Sequence, residues 1–232
     1  MRPRSGLGAA ALVLALAACR EPGGEEGGAP PGAAPRVTAD VVAAELHEAE
    51  GLSRDVQTDI GAGDWGAAEA KVRRLAELKG PLEATGPWGS AIGIYDRGVD
   101  SLAARTARRD TVAALISAND VMRGVVSLME RTPREAPTAV GFAEVATRDA
   151  LYHSWLGQWD EAEQAVQAVR NHYTAVAHRV NSEDPALDEA ARREIAALEQ
   201  AVEQRDVQRV SAAAAALLAT VAKIRAMPWA AA

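Results

Sequence analysis

The chain has 232 residues, of which 48% are hydrophobic, 25% are charged and only 4% are aromatic, and its formal net charge is −7. The apolar fraction is that of a folded protein, and abundant unbranched side chains with few aromatic ones favour helices over a sheet. Because an acidic surface repels phosphate groups, the charge argues against a nucleic-acid partner.

The first 18 residues have the layout of a secretory signal peptide. Arg2 and Arg4 precede a run of 12 uncharged, mostly apolar residues at 7–18. That run is shorter than the roughly 20 residues that span a bilayer, and it ends in small residues of the kind found at cleavage sites. We therefore expect 1–18 to be removed, which takes away two positive charges and leaves a mature chain of net charge −9.

The tetrapeptide Leu16-Ala17-Ala18-Cys19 resembles the bacterial lipobox, in which the cysteine becomes the new N-terminus and is acylated. The resemblance implies diacylglycerol on Cys19, with palmitate-type chains that hold the protein to a membrane at about 0.8 kcal/mol per buried CH₂. Aspartate after the cysteine favours inner-membrane retention in Gram-negative bacteria, and here Arg20 follows. The resemblance therefore implies the periplasmic side of the outer membrane, with the inner membrane as the alternative. Apart from this covalent lipid, we expect no cofactor.

The segment 19–36 is rich in glycine and proline, with five Gly and four Pro among residues 20–36. Such a composition cannot bury enough apolar surface to offset the entropy of ordering. We expect a disordered linker that holds the body away from the membrane.

Apolar residues recur at helical spacing from Val37 onward and predict an all-α body. The clearest stripe alternates steps of three and four residues on one long helix: Trp159, Ala162, Val166, Val169, Tyr173, Val176 and Val180. No run alternates β-branched residues, so we expect no sheet.

The body also repeats itself. When the sequence is aligned with itself at an offset of 94 residues, seven positions between 53 and 72 are identical to their counterparts, among them Arg54 with Arg148 and Trp65 with Trp159. Random pairing would give roughly one or two identities. A shift of 96 aligns Arg109-Asp110 with Arg205-Asp206. We interpret 37–131 and 132–232 as two copies of one unit. The expected helices lie near 38–62, 64–80, 90–108 and 110–130, and near 138–156, 158–181, 185–204 and 206–226.

Short connections between these helices favour two tandem up-down four-helix bundles. The alternative is an α-solenoid of helical hairpins, since Gly-Asp-Trp at a helix junction loosely resembles the tetratricopeptide proteins. Aspartates mark several helix starts, because a carboxylate accepts the unpaired N–H groups of a first turn: Asp64, Asp110, Asp206, and Asp184 before Pro185.

The repeated residues are the first candidate site. Trp65 and Trp159 are expected to plug the ends of their bundles with a large apolar surface, the alternative being aromatic walls for a ligand. Arg54 and Arg148 are each expected to reach a carboxylate on a neighbouring helix, the alternative being a duplicated anion site. Gly89 and Gly93, four residues apart near Trp88, are expected to let two helices approach closely, the alternative being a flexible ligand-facing loop.

His47 and Glu50 stand one helical turn apart and are the only metal-ligand candidates. The pattern resembles the Gly-x-His-x-x-Glu motif of the imelysin-like periplasmic proteins, which are helical, internally duplicated and linked to iron. Glu45 occupies the glycine position here, and the second unit has no counterpart. Because transition metals take three or four ligands, two residues do not define a metal site.

Motifs of catalysis are missing from the sequence. It contains no Gly-x-Ser-x-Gly, no His-Glu-x-x-His and no cysteine besides Cys19, so no nucleophile stands beside a base. The sequence therefore favours a non-catalytic binding or scaffold module of the cell envelope with a protein partner. The alternative is a periplasmic carrier of a metal or small ligand in iron, copper or haem handling.

Overall fold

Residues 39–85, 88–130, 132 and 136–229 are described by the structure, a computed structural model. The expected signal peptide 1–18, the lipidation site Cys19 and the linker 19–36 lie outside these residues. The contacts place Val37–Ala232 in one compact unit.

The described residues form nine helices and no strand, which confirms the all-α prediction. The helices are α1 (Ala39–Ala62), α2 (Trp65–Glu77), α3 (Lys79–Ala84), α4 (Ser90–Ala107), α5 (Thr111–Met129), α6 (Thr138–Trp155), α7 (Trp159–Glu183), α8 (Pro185–Glu203) and α9 (Val207–Arg225). The main departure from the expected helices is at 64–80, where α2 ends at Glu77 and the short α3 follows. A continuous helix would need an N–H from Pro81 to the carbonyl of Glu77, and proline has none.

The predicted caps at the helix starts are confirmed. The carboxylate of Asp64 accepts from the N–H of Ala67 at 3.0 Å, and Asp110, Asp184 and Asp206 cap α5, α8 and α9 in the same way. The turns before α2 and α7 each contain a glycine with positive φ, at Gly63 (75°) and Gly157 (70°).

Neighbouring helices contact each other in two rings. In the first, α1 contacts α2 and α5, and α4 contacts α2 and α5. In the second, α6 contacts α7 and α9, and α8 contacts α7 and α9. Within each ring most successive helices are joined by one to three residues, so they fold back antiparallel.

Each ring encloses its own apolar core. The first is centred on side chains such as Leu46, Tyr95 and Leu102, and the second on Leu198 and Leu217. Complete burial of each of these large side chains contributes about 1.5–3 kcal/mol. Helices α5 and α6 join the rings, with a third small cluster of Met122, Val126 and Val145 between them.

Two glycines allow α4 and α5 to pack closely. A Cβ on Gly98 would lie 2.9 Å from the backbone nitrogen of Val121, and one on Gly124 would lie 2.7 Å from the backbone of Tyr95. The prediction of close approach at Gly93 is wrong, because a Cβ there would meet only the Arg97 side chain one turn along the same helix.

Two of the described helices, α5 and α9, are long and apolar enough to cross a membrane by length and composition alone. In α5, 67% of the apolar window is buried within the body, as in a core helix. In α9 the buried share is 39%, which leaves much of its apolar surface uncovered.

Candidate functional site

A buried carboxylate, Glu144 of α6, lies among three guanidinium groups. Its Oε1 is 3.1 Å from Nε of Arg54 on α1 and 2.5 Å from Nη1 of Arg148 on α6, and its Oε2 accepts from Arg225 on α9. Arg54 also donates to Glu50 of α1 at 2.6 Å. These five residues, the Glu144 cluster, link α1, α6 and α9 through ion pairs.

Electrostatics keep Glu144 and Arg54 ionised. Burial by itself raises the pKa of Glu144, but Arg148, Arg225 and Arg54 together outweigh burial and lower it to about 2. Burial lowers the pKa of Arg54, and the two carboxylates outweigh it, so this pKa is raised overall. A carboxyl group that titrates near pH 2 is a poor general acid or base at neutral pH, so the arrangement is suited to joining helices.

Polar pairs beside the Glu144 cluster also run between helices. Asn119 and Arg123 of α5 each donate to a different oxygen of Asp149 on α6 at 2.7 Å. The hydroxyl of Tyr152 on α6 donates to Oε1 of Gln57 on α1 at 2.9 Å. The junction of the two rings is therefore held by hydrogen bonds and ion pairs between helices as well as by apolar packing.

The structure brings the repeated arginines to a single carboxylate. Arg54 reaches across to α6, whereas Arg148 pairs with Glu144 one turn earlier in its own helix. Sequence reasoning missed Glu144 and Arg225. One signal was present for the first of them: the 94-residue shift also aligns Glu50 with Glu144.

The repeated tryptophans lie apart from this cluster. Trp65 and Trp159 are the first residues of α2 and α7. Each is partly buried, Trp65 against the core of the first ring and Trp159 against that of the second. Each tryptophan therefore covers part of the apolar core of its own ring.

The metal-ligand candidates occupy different surroundings. His47 is exposed, with its Nδ1 2.6 Å from the carbonyl oxygen of Ala43. Glu50 is buried, and its carboxylate accepts from Arg54. Within the described part of the chain, no group of three or more His, Cys, Asp and Glu residues is placed to hold a metal ion.

A second buried carboxylate joins α7 to α8. Asp188 accepts from the hydroxyl of Tyr173 and, at 2.9 Å, from Nε of Arg192. Burial raises the pKa of Asp188, but these two hydrogen bonds outweigh burial, so the pKa lies below its ordinary value. For Tyr173, burial and the adjacent carboxylate both raise the pKa. Like Glu144, this group holds helices together in its ionised form.

The same two helices border an open groove of about 500 Å³. Its lining is acidic, with Asp160 and Glu163 from α7 and Glu199 and Glu203 from α8. Glu199 is paired with Arg170 of α7. The groove is thus a negatively charged, solvent-accessible surface.

Comparison with known proteins found no relative of this chain. The chain matches no protein-family model, no curated protein and no solved structure.

Proposed function

We propose that this chain is a lipid-anchored helical module on the periplasmic face of a bacterial outer membrane, where it binds a protein partner without catalysing a reaction. The lipobox-like Leu16-Ala17-Ala18-Cys19 and the Gly/Pro-rich segment 19–36 support the anchor and tether. The compact helical unit from Val37 onward supports a folded body behind them.

One observation carries the non-catalytic part of the proposal. The buried charges of the Glu144 cluster are matched to each other across three helices, and the carboxyl pKa of about 2 lies far from neutrality. Reaction centres instead shift acids and bases toward the working pH and aim them at a substrate space. The charges inside this body therefore favour a rigid scaffold.

We further propose that the two rings descend from one duplicated four-helix unit. Support comes from the matches at shifts of 94 and 96 residues. The positive φ angles recur at corresponding turns, at Gly63 and Gly157 and again at Arg109 (54°) and Arg205 (53°).

Replacing the lipidated residue tests the anchor. In cells that express Cys19→Ala, we expect labelling by radioactive palmitate to disappear and the protein to leave the membrane fraction. A Ser5→Ala variant keeps the lipobox and should remain labelled and membrane-bound. If Cys19→Ala still sedimented with membranes after a carbonate wash, the anchor would be refuted. Separating inner from outer membranes for the native chain tests the location.

Crosslinking in intact envelopes tests the partner. We expect the native chain to capture a specific envelope protein that Cys19→Ala, no longer held at the membrane, captures less. Recovery of no protein above the background of an unrelated lipoprotein would contradict the binding role.

A further inference from the structure

One side of α6 faces the gap between α1 and α9. Helix α1 packs mainly against α2 and α5 and makes no extensive contact with α9, and long side chains link it to α6. At one end of this side of α6, Arg54 of α1 and Arg225 of α9 both donate to Glu144. At the other end, the hydroxyl of Tyr152 donates to α1, and Nε1 of Trp155 donates to α9. This side of α6 is therefore bordered by α1 on one flank and by α9 on the other.

Beyond the buried Glu144, the side chains on this side of α6 are partly exposed. Four residues spaced by four, three and four positions lie on one face of the helix: Glu144, Arg148, Leu151 and Trp155. Arg148 and Leu151 are half-buried, and Trp155 is 40% exposed. Leu151 packs against both apolar cores, which places it between the two rings.

The two flanking helices leave room over this side of α6. Leu218 stands seven residues from both Ser211 and Arg225, the α9 residues that bond to α6, so it lies on the same side of α9. It is half-buried and belongs to neither apolar core. On α1, Gly61 stands seven residues after Arg54, and a Cβ there would meet no atom within 4 Å. The side of α6 from Glu144 to Trp155, with these two walls, is called the α6 cleft below.

One end of the α6 cleft carries a surplus of positive charge. Among the described residues, the Glu144 cluster sets three guanidinium groups against two carboxylates. Arg148 and Arg225 each donate to Glu144 through a single nitrogen, and their side chains are 15% and 23% exposed. Their other N–H groups can donate to one further anion, and the planar guanidinium suits carboxylate and phosphate oxygens.

We propose that the α6 cleft binds a single-chain amphiphile with one negative charge, of the chemical class of a long-chain fatty acid. Its carboxylate accepts hydrogen bonds from Arg148 and Arg225, and its acyl chain lies along Leu151, Leu218 and Trp155. One negative charge balances the surplus guanidinium, and contact of the hydrocarbon with apolar side chains supplies affinity.

The length of the α6 cleft fits one acyl chain. From Glu144 to Trp155 the helix extends about 16 Å, at about 1.5 Å per residue. This is close to the depth of one bilayer leaflet, half of a hydrocarbon core of about 30 Å. The inference goes beyond the binding of a protein partner and does not rest on the lipid anchor, since it concerns only the compact unit 37–232.

Calorimetric titration of the unit 37–232 with dodecanoate tests the site. We expect saturable binding of one molecule per chain. Acetate, which lacks the acyl chain, and dodecyl maltoside, which lacks the charge, should not bind. Because affinity grows with each CH₂ group taken from water, shortening the chain to decanoate should weaken binding by about three- to tenfold.

Two variants separate the headgroup contact from the acyl-chain contact. Arg148→Gln removes a charge-assisted hydrogen bond and should weaken dodecanoate binding by about tenfold or more. Leu218→Asn removes an apolar contact from the α9 wall and should weaken it by about fivefold. The control Arg192→Gln changes an arginine of α8 that pairs with Asp188 and should leave the affinity unchanged. Circular dichroism checks that each variant is folded.

Fluorescence quenching by dodecanoate brominated near the end of its chain locates the ligand. Quenching should be largely lost in Trp155→Phe and kept in Trp65→Phe, whose tryptophan covers the first core. The proposal would be overturned if dodecanoate bound without saturation, if Arg148→Gln bound it as tightly as the native chain, or if dodecyl maltoside bound equally well. Each of these results would leave the anchor and the envelope partner untouched.

Discussion

Replacing Glu144 by glutamine keeps the shape of the side chain and removes its charge. The Glu144 side chain is only 5% exposed. The side chains of Arg148, Arg225 and Arg54 are 15%, 23% and 28% exposed. Removing one partner of a buried ion pair costs about 3–5 kcal/mol. Because the three arginines are partly hydrated, we expect the lower end of that range.

Proton linkage leads to the same magnitude. Lowering the pKa of Glu144 from 4.5 to about 2 corresponds to about 3.4 kcal/mol at about 1.36 kcal/mol per pH unit. The unfolded chain binds the proton more tightly than the folded chain, so this stability is present above pH 4.5 and is lost as the pH falls toward 2. The difference between the native chain and Glu144→Gln should shrink from about 3.4 kcal/mol at pH 7 to about 1.4 kcal/mol at pH 3.

Urea unfolding followed by far-ultraviolet circular dichroism measures the stability difference between the native chain and Glu144→Gln at pH 7 and at pH 3. In a thermal melt at neutral pH, the melting temperature of Glu144→Gln should fall by about 7–14 °C, given about 2–4 °C per kcal/mol for a domain of this size. Glu163→Gln, on the exposed side of α7, is the matched control and should change stability by less than about 0.5 kcal/mol. If Glu144→Gln were as stable as the native chain, or if the difference did not depend on pH, the electrostatic reasoning would be refuted.

Three further predictions concern packing, ionisation and capping. Gly124→Ala should destabilise the fold by about 1–3 kcal/mol in urea unfolding, because its Cβ would lie 2.7 Å from the Tyr95 backbone. Gly51→Ala, in the middle of α1 with no atom within 4 Å of the added carbon, should instead gain up to about 1 kcal/mol; equal effects would contradict the assigned close contact. All three tyrosines of the chain have raised pKa values because of burial, that of Tyr152 to about 12. Near-ultraviolet absorbance should therefore show no phenolate near pH 10 in the folded chain, while unfolded chains titrate there and stability declines above that pH. Asp206→Ala removes the acceptor for the N–H groups of Gln208 and Arg209 and should cost about 1 kcal/mol, whereas Glu203→Ala, exposed and outside the cap, should cost little in the same assay.

Local chemistry made much of the fold predictable. Caps such as Asp64 and Asp206 act on residues within one helical turn, so their effects can be recognised without knowing the rest of the chain. The apolar stripe of α7 likewise follows from side-chain spacing within that helix. The break between α2 and α3 was missed although Pro81 lies in the first turn of α3, because a proline near the end of a periodic stretch does not reveal that a second helix begins just before it.

By itself the sequence determined the helical character of the body and most of its helix boundaries, and it predicted the leader and lipid anchor. Only the tertiary structure decided which charges meet: Arg54 lies 90 residues from Glu144, and Arg225 lies 81 residues beyond it. The physical reason is that ion pairs between helices depend on how the helices pack, whereas capping and periodicity act within a single turn. The same holds for the exposed alanines of α9, since the sequence of this helix does not show which of them lack a neighbouring helix.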